Sequence, residues 1–195
     1  MHIIALEDDP SSLRGGQELN LLEICRGLSQ RGHSICLLYV NEGNLIERYQ
    51  EFCTQIDHVK SYKLDRSRIT DIFSFLADVL KIPTSQDSVI FSKQYYDVFF
   101  GSALSLSKNI PFVCYLQLPP LEKKFTRPHA VGLKGVKQFV AVSKQTKQDW
   151  VNRGFKEEKI DLVYNGTNAE LFKPSDFYLL EKNGIFLRVS KSFHT

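Results

Sequence analysis

The sequence predicts an α/β protein built on a doubly wound, mostly parallel sheet flanked by helices, a Rossmann-like architecture. Short apolar runs alternate with helical patterns along the chain, and several of these runs are unbroken, as strands covered on both faces are. The 195 residues, 43% hydrophobic and 24% charged, suffice for one proper core.

Residues 2–6 read as a buried first strand that runs into Glu7-Asp8-Asp9-Pro10, a loop. A helix opens at Gly16, carries Leu21, Leu22, Cys25 and Leu28 on one face, and stops at Arg31-Gly32. A strand over 34–40, a weaker helix near 44–53 and a strand near 57–63 follow. Ile69, Ile72, Phe73, Leu76, Val79 and Leu80 form the stripe of a helix that ends before Pro83. The alternation continues with a strand at 88–92, a helix near 94–108 and a strand at 111–117. After a loop-rich stretch over 121–138 come a strand at 137–142, a helix at 144–153 and a strand at 160–164.

Charge narrows the function classes only slightly. The 25 basic and 22 acidic residues give +3, too weak a balance to argue for nucleic acid. Runs such as Ile35 to Val40 fall far short of the roughly 18 apolar residues of a membrane span, and the first residues lack a secretory pattern. A cytoplasmic location is expected. Cys25, Cys36, Cys53 and Cys114 form no C-x-x-C pair and are expected to be buried reduced thiols. His33 and Cys36 have ligand-like spacing but no second pair, so a turn residue explains His33 better than zinc.

Parallel sheets bind ligands at the carboxyl ends of their strands, which directs attention to the loop from Glu7 to Gly16. Gly15 and Gly16 before a helix let backbone approach a phosphate, and the helix N-terminus favours negative charge; a flexible turn is the plain alternative. The dinucleotide fingerprint, the P-loop and the nucleophile elbow are all missing, which disfavours nicotinamide, P-loop and esterase chemistry.

Further along stand Val140-Ala141-Val142-Ser143, then Trp150, Gly154, Lys159-Ile160, Val163, Asn165-Gly166, Phe172 and Pro174. Ser143 suits an N-cap, Gly154 a helix stop and Asn165-Gly166 a tight turn. In order and spacing this segment resembles the junction region of family-4-type glycosyltransferases of GT-B fold. Gly15-Gly16-Gln17-Glu18, Arg26-Gly27-Leu28 and Arg31-Gly32-His33 extend the resemblance back to the first strand, so that it covers about residues 1–174. Thr167 and Asn168 depart from the family's usual Val-Asp, Trp150 from its leucine, and Gln117 from a histidine common in relatives.

The resemblance implies transfer of a sugar from a nucleotide-sugar donor to an acceptor, with retention and without a bound metal or cofactor. It implies that residues 1–174 are the acceptor-side, N-terminal domain. Gly15 and Gly16 would lie against the donor pyrophosphate, Gln117 would face the acceptor or reacting sugar, and Ser143, Asn165 and Gly166 would shape the interdomain cleft. Residues 175–195 would be a linker and the start of a truncated donor half, Ile185 to Lys191 resembling its first strand. The chain alone is then expected to lack turnover and to need a separate donor-domain chain. The alternative is a noncatalytic module that docks an acceptor, a lipid surface or a partner. Lys123, Lys124, Arg127, Lys134 and Lys137 form a basic patch that suits peripheral contact with an anionic inner membrane face, or simply a solvated loop.

Overall fold

The computed structural model describes residues 1–63, 69–121 and 125–166. The chain divides into two compact units, Met1–Tyr164 and Asn165–Thr195. The first contains β1 (His2–Glu7), α1 (Gly16–Gln30), β2 (Ser34–Tyr39), α2 (Ile46–Gln50) and β3 (Gln55–His58). Then come α3 (Ile69–Lys81), β4 (Ser88–Ser92), α4 (Val98–Lys108), β5 (Phe112–Leu116), α5 (Arg127–Gly135), β6 (Gln138–Ala141), α6 (Lys144–Asn152) and β7 (Ile160–Leu162). Of the second unit only Asn165 and Gly166 are described, and both are exposed.

The seven strands are all parallel and lie in the order β3-β2-β1-β4-β5-β6-β7, so the expected Rossmann-like sheet is present. Strand order reverses between β1 and β4. Connections diverge to opposite sides there and leave a crevice beyond the strand ends, the place where open α/β sheets hold ligands. Alternate side chains of the strands serve two cores. Ile3, Ala5, Ile35 and Leu37 pack with Leu21, Leu22 and Cys25 of α1 and Tyr49 of α2. Ile4, Leu6, Ile90 and Phe112 pack with Phe75 and Val79 of α3, Phe100 of α4, Leu133 of α5 and Trp150 of α6.

Within 121–138 the expected loop gives way to α5. Thr126 caps it by accepting the His129 N–H, and Pro128 fits its first turn. Gly132 and Gly135 look like breakers, but here they buy proximity: a Cβ on Gly132 would lie 2.6 Å from the Val98 carbonyl carbon, and Ser102 Oγ donates to the Gly132 carbonyl at 2.6 Å. The helix crosses the start of α4 backbone to backbone.

The face of α3 also differs from expectation. Phe73, Leu76 and Leu80 are exposed, while Phe75, Asp78 and Val79 turn inward. Asp78 fixes that rotation by accepting the Lys60 N–H at 2.7 Å, and the Phe75 ring meets Phe99 and Phe100. The helix over 44–53 shortens to one turn and a half, and Cys53 is half-buried. Cys25, Cys36 and Cys114 are buried, and all four thiols are free.

Trp150 is fully buried, lies nearly parallel to the Phe125 ring, and donates its indole N–H to the Leu118 carbonyl at 2.9 Å. A leucine there would leave that carbonyl without the bond and open a void. Trp150→Leu is expected to lower stability by about 2–4 kcal/mol in urea unfolding. Gly132→Ala is expected to cost about 1–3 kcal/mol in the same measurement, because backbone of α4 rather than a flexible side chain stands in the way.

Candidate functional site

The crevice at the β1/β4 reversal holds a cavity of about 570 Å³. Its wall begins with the β1–α1 loop. Glu7 ends β1 with no exposure, Asp8 follows, and Arg14 donates to Asp9 Oδ2 at 2.9 Å with Asp8 Oδ2 3.9 Å away. Gly15 then sits at φ 141°, a left-handed setting that resists side chains, and Gly16 opens α1. No side chain caps that helix start, and nothing lies within 4 Å of where a Gly16 Cβ would be. Free N–H groups and open space therefore coincide beside the cavity.

Behind the wall lies a buried ion network that sequence spacing did not reveal. Lys93, one residue past β4, has no exposure, and its ammonium is paired with Glu7 Oε1, with Glu18 Oε1 at 2.9 Å and with Asp8 Oδ1 at 3.1 Å. Burial works against the charged lysine, yet the three carboxylates outweigh it and raise its pKa. Burial likewise raises Glu7, to about 7, in spite of Lys93. The Tyr62 hydroxyl donates to the Leu38 carbonyl at 2.5 Å and accepts the Glu7 N–H at 3.1 Å, so it joins β2 to the end of β1.

The remaining wall comes from beyond β4. Gln94, Tyr96 and Asp97 line the cavity together with Asn41, Tyr62 and Lys63. Asp97 is 3% exposed, and its Oδ2 has no hydrogen-bond partner. Burial first and Asp8 second push its carboxyl well above the ordinary range, against the pull of Lys93 and Lys63.

Among the residues that sequence singled out, Gly15 and Gly16 line this cavity. Gln117 follows β5 and donates through Nε2 to the Lys93 carbonyl at 3.4 Å, which ties it to the backbone of the same network. Ser143 caps α6, its Oγ accepting the Thr146 N–H at 3.0 Å, and it is not among the cavity residues. Asn165 and Gly166 belong to the second unit. Arg127, Lys134 and Lys137 are exposed, the first two on α5, whereas Lys123 and Lys124 lie outside the described residues, as do 167–195. Sequence reasoning noticed Glu18 only as a motif letter and passed over Lys93 and Asp97. The available signals were an isolated lysine ending an apolar run and acids at two loop entrances.

The fold is the Rossmann-like α/β architecture found in GT-B glycosyltransferases, and it matches about half of the chains of several of them. Glycosyltransferase Family 4 matches residues 14–171, and the chain belongs to that family. Among solved structures it is similar to Anabaena HepE in complex with UDP and glucose, at 16% identity and TM-score 0.70, over 90% of this chain and 47% of that one. A glycosyltransferase from Rickettsia africae gives 18% and 0.66 over 93% and 48%, and the lipopolysaccharide outer core galactosyltransferase WaaB 12% and 0.63 over 86% and 46%. The chain spans about half the length of these structures. No curated protein sequence matches it. Among the described residues no helix is long and apolar enough to cross a membrane.

Glu7 titrates near 7 in the folded chain against 4.5 for a free carboxyl, so the folded state holds its proton more tightly. The stabilisation this gives is complete below about pH 4.5 and is lost as pH rises through about 7. Lys93→Ala leaves the carboxylates without their cation and is expected to cost about 3–5 kcal/mol near neutral pH. That deficit should widen from about pH 5 to about pH 8, measured by urea unfolding of both proteins across the range. A deficit independent of pH would mean that the loss is packing alone.

Proposed function

We propose that the chain is the acceptor-side half of a retaining glycosyltransferase that uses a nucleotide-sugar donor. The observation that carries this reading is the family match across the very elements that place Gly15 and Gly16 at an open helix start beside the cavity. A uridine diphosphate sugar is the donor class the neighbours suggest, since HepE has been solved with UDP and with UDP-glucose. Gly15 and Gly16 would lie against the pyrophosphate, where backbone N–H groups and the helix dipole meet developing negative charge without a metal. Gln117, held at the Lys93 carbonyl, would face the acceptor or the reacting sugar.

Ser143, Asn165 and Gly166 would border the cleft with a donor-binding half, and residues 175–195 would lead towards that half. The 1–174 boundary belongs to this proposal. With the donor half absent from residues 1–195, little or no turnover is expected from the chain alone. The noncatalytic alternative has one supporting observation, the exposed cations Arg127, Lys134 and Lys137.

The test is release of UDP from UDP-glucose and a panel of other UDP-sugars, by the chain alone and mixed with a separately expressed family-4 donor half. Transfer only in the mixture, with the anomeric configuration kept in the product by NMR, is the expected result. Failure of the two halves to bind or to release UDP would remove the reading. In an active mixture, Gly16→Val is expected to lower kcat/KM by about a hundredfold, since a branched side chain would fill the space beside the helix N–H groups. Gln117→Ala should lower it by about tenfold or more, with Gln117→His retaining activity.

A further inference from the structure

We propose that the Glu7–Lys93 cluster is a proton-operated latch on the first turn of α1: while the cluster holds one proton, Glu18 stays on the Lys93 ammonium, and when that proton leaves, the turn opens at the cavity wall. The device acts whatever ligand the cavity takes and stands apart from the transferase reading.

The arrangement around one nitrogen supports it. Glu7, Asp8 and Glu18 converge on the Lys93 ammonium, and Glu7 and Lys93 have no exposure, so three ionised carboxylates would outnumber the buried cation by two. One proton removes half of that excess. Among the described residues Glu7 Oε2 is buried without a hydrogen-bond partner, and Asp8 Oδ1, though 3.1 Å from the ammonium, accepts no hydrogen bond from it. A proton on Glu7 turns one of these acceptors into a donor. Burial favours that neutral form and raises Glu7 to about 7 in spite of Lys93.

The other groups that act on Glu7 come from every neighbouring element. Asp8 and Asp9 follow it, Glu18 and Cys25 belong to α1 and Tyr49 to α2, Tyr62 lies beyond β3, and Lys93 and Asp97 lie beyond β4. Burial pushes Cys25, Tyr49 and Tyr62 upward, so they stay neutral here, and it raises Asp97 as well. Arg14 and Lys63 are exposed cations, the first of them on Asp9.

Glu18 is the moving part. No side chain caps the start of α1, and the bond from Lys93 to Glu18 Oε1 at 2.9 Å ties its first turn to the end of β4. Once Glu7 is ionised it competes with Glu18 for the same ammonium and repels it. Glu7 is fixed by the β1 pairings and Asp8 by its carbonyl, which accepts the Asn41 N–H at 2.9 Å, whereas Glu18 lines the cavity at a helix end and has a way out. Its departure admits water and leaves the ammonium to Glu7, which favours the ionised acid; the two events are therefore coupled.

Amide exchange on the full chain, followed by NMR and corrected for intrinsic rates, tests this. The N–H groups of Asn20, Leu21 and Leu22 bond back across the first turn of α1. Their protection should lie below that of Ile4 and Leu37 in the sheet and fall about tenfold from about pH 5 to about pH 7.5. It should then level off, because a proton held more tightly in the closed state is lost once pH has passed about 7. The carbon-13 shift of the Glu7 carboxyl should titrate over the same interval. Glu7→Gln, which keeps the shape and neutrality of the protonated acid, should hold the acid-side protection up to about pH 8. Asp97→Asn should leave the transition in place. Protection equal to that of the strands at every pH would make the opening global, and protection flat with pH would remove the proton from it; either overturns the latch. So does a transition that survives Glu7→Gln or vanishes in Asp97→Asn. Should Glu7→Gln fail to fold, the wild-type chain decides alone: separate midpoints for the Glu7 carboxyl and for the protection overturn the inference.

Discussion

The structure around the cavity depends on one constraint, the burial of the Lys93 ammonium where β1 and β4 run side by side. Withdrawing such a charge from water costs several kcal/mol, and only close, well-placed counter-charges offset it. Here they come from three places: the last residue of β1, the first residue of the loop, and the first turn of α1. The lysine therefore fastens the end of β4 to the end of β1 and to the helix that follows. The β1–α1 loop cannot move far without stranding a carboxylate or the ammonium.

From that constraint follows the position of the chemical groups. Glu18 is held in the first turn of α1, so the start of the helix, with Gly15 and Gly16, is fixed beside the cavity rather than left to loop motion. The backbone of Lys93 in turn receives Gln117 from the end of β5, and the chain after Lys93 runs directly into Gln94, Tyr96 and Asp97. A single buried cation thereby sets the spacing between the proposed donor-side glycines and the proposed acceptor-side wall. Asp97 shares the acidic field through Asp8, which ties its titration to the same network.

Much of the fold was legible because hydrophobic runs and caps are local signals. Six strands sit within a residue or two of the sequence prediction, and Ser143 caps α6 as its position suggested. β3 lies further off, at Gln55–His58 instead of 57–63. α5 was not legible because its glycines serve an approach to α4, a partner distant in sequence, and so imitate loop composition. The face of α3 was misread for a similar reason. Asp78 is placed inward by the Lys60 backbone, while three large apolar residues are left outside. Gly15 and Gly16 could be found because the end of a strand and the start of a helix are adjacent in the chain. Lys93 and Asp97 could not, because a neighbour of β1 in this sheet is about eighty residues away and only strand order reveals it.

The same charges bear on the proposed donor site. A departing nucleoside diphosphate carries more negative charge than one helix start can balance, since the aligned peptide dipoles of α1 amount to roughly half an elementary charge at its N-terminus. Part of even that half-charge is offset by Glu18 in the first turn. Of the cations near the cavity, Arg14 is paired with Asp9, Lys93 is surrounded by three acids, and Lys63 stands exposed. Arg14 and Lys93 are thus poorly placed to neutralise a diphosphate, which leaves Lys63 as the exposed cation of the wall. On the proposed reading, positive charge brought by a facing domain would complete the balance. Donor binding and closure of the two halves would on that reading become one event, which would keep the reactive sugar from water.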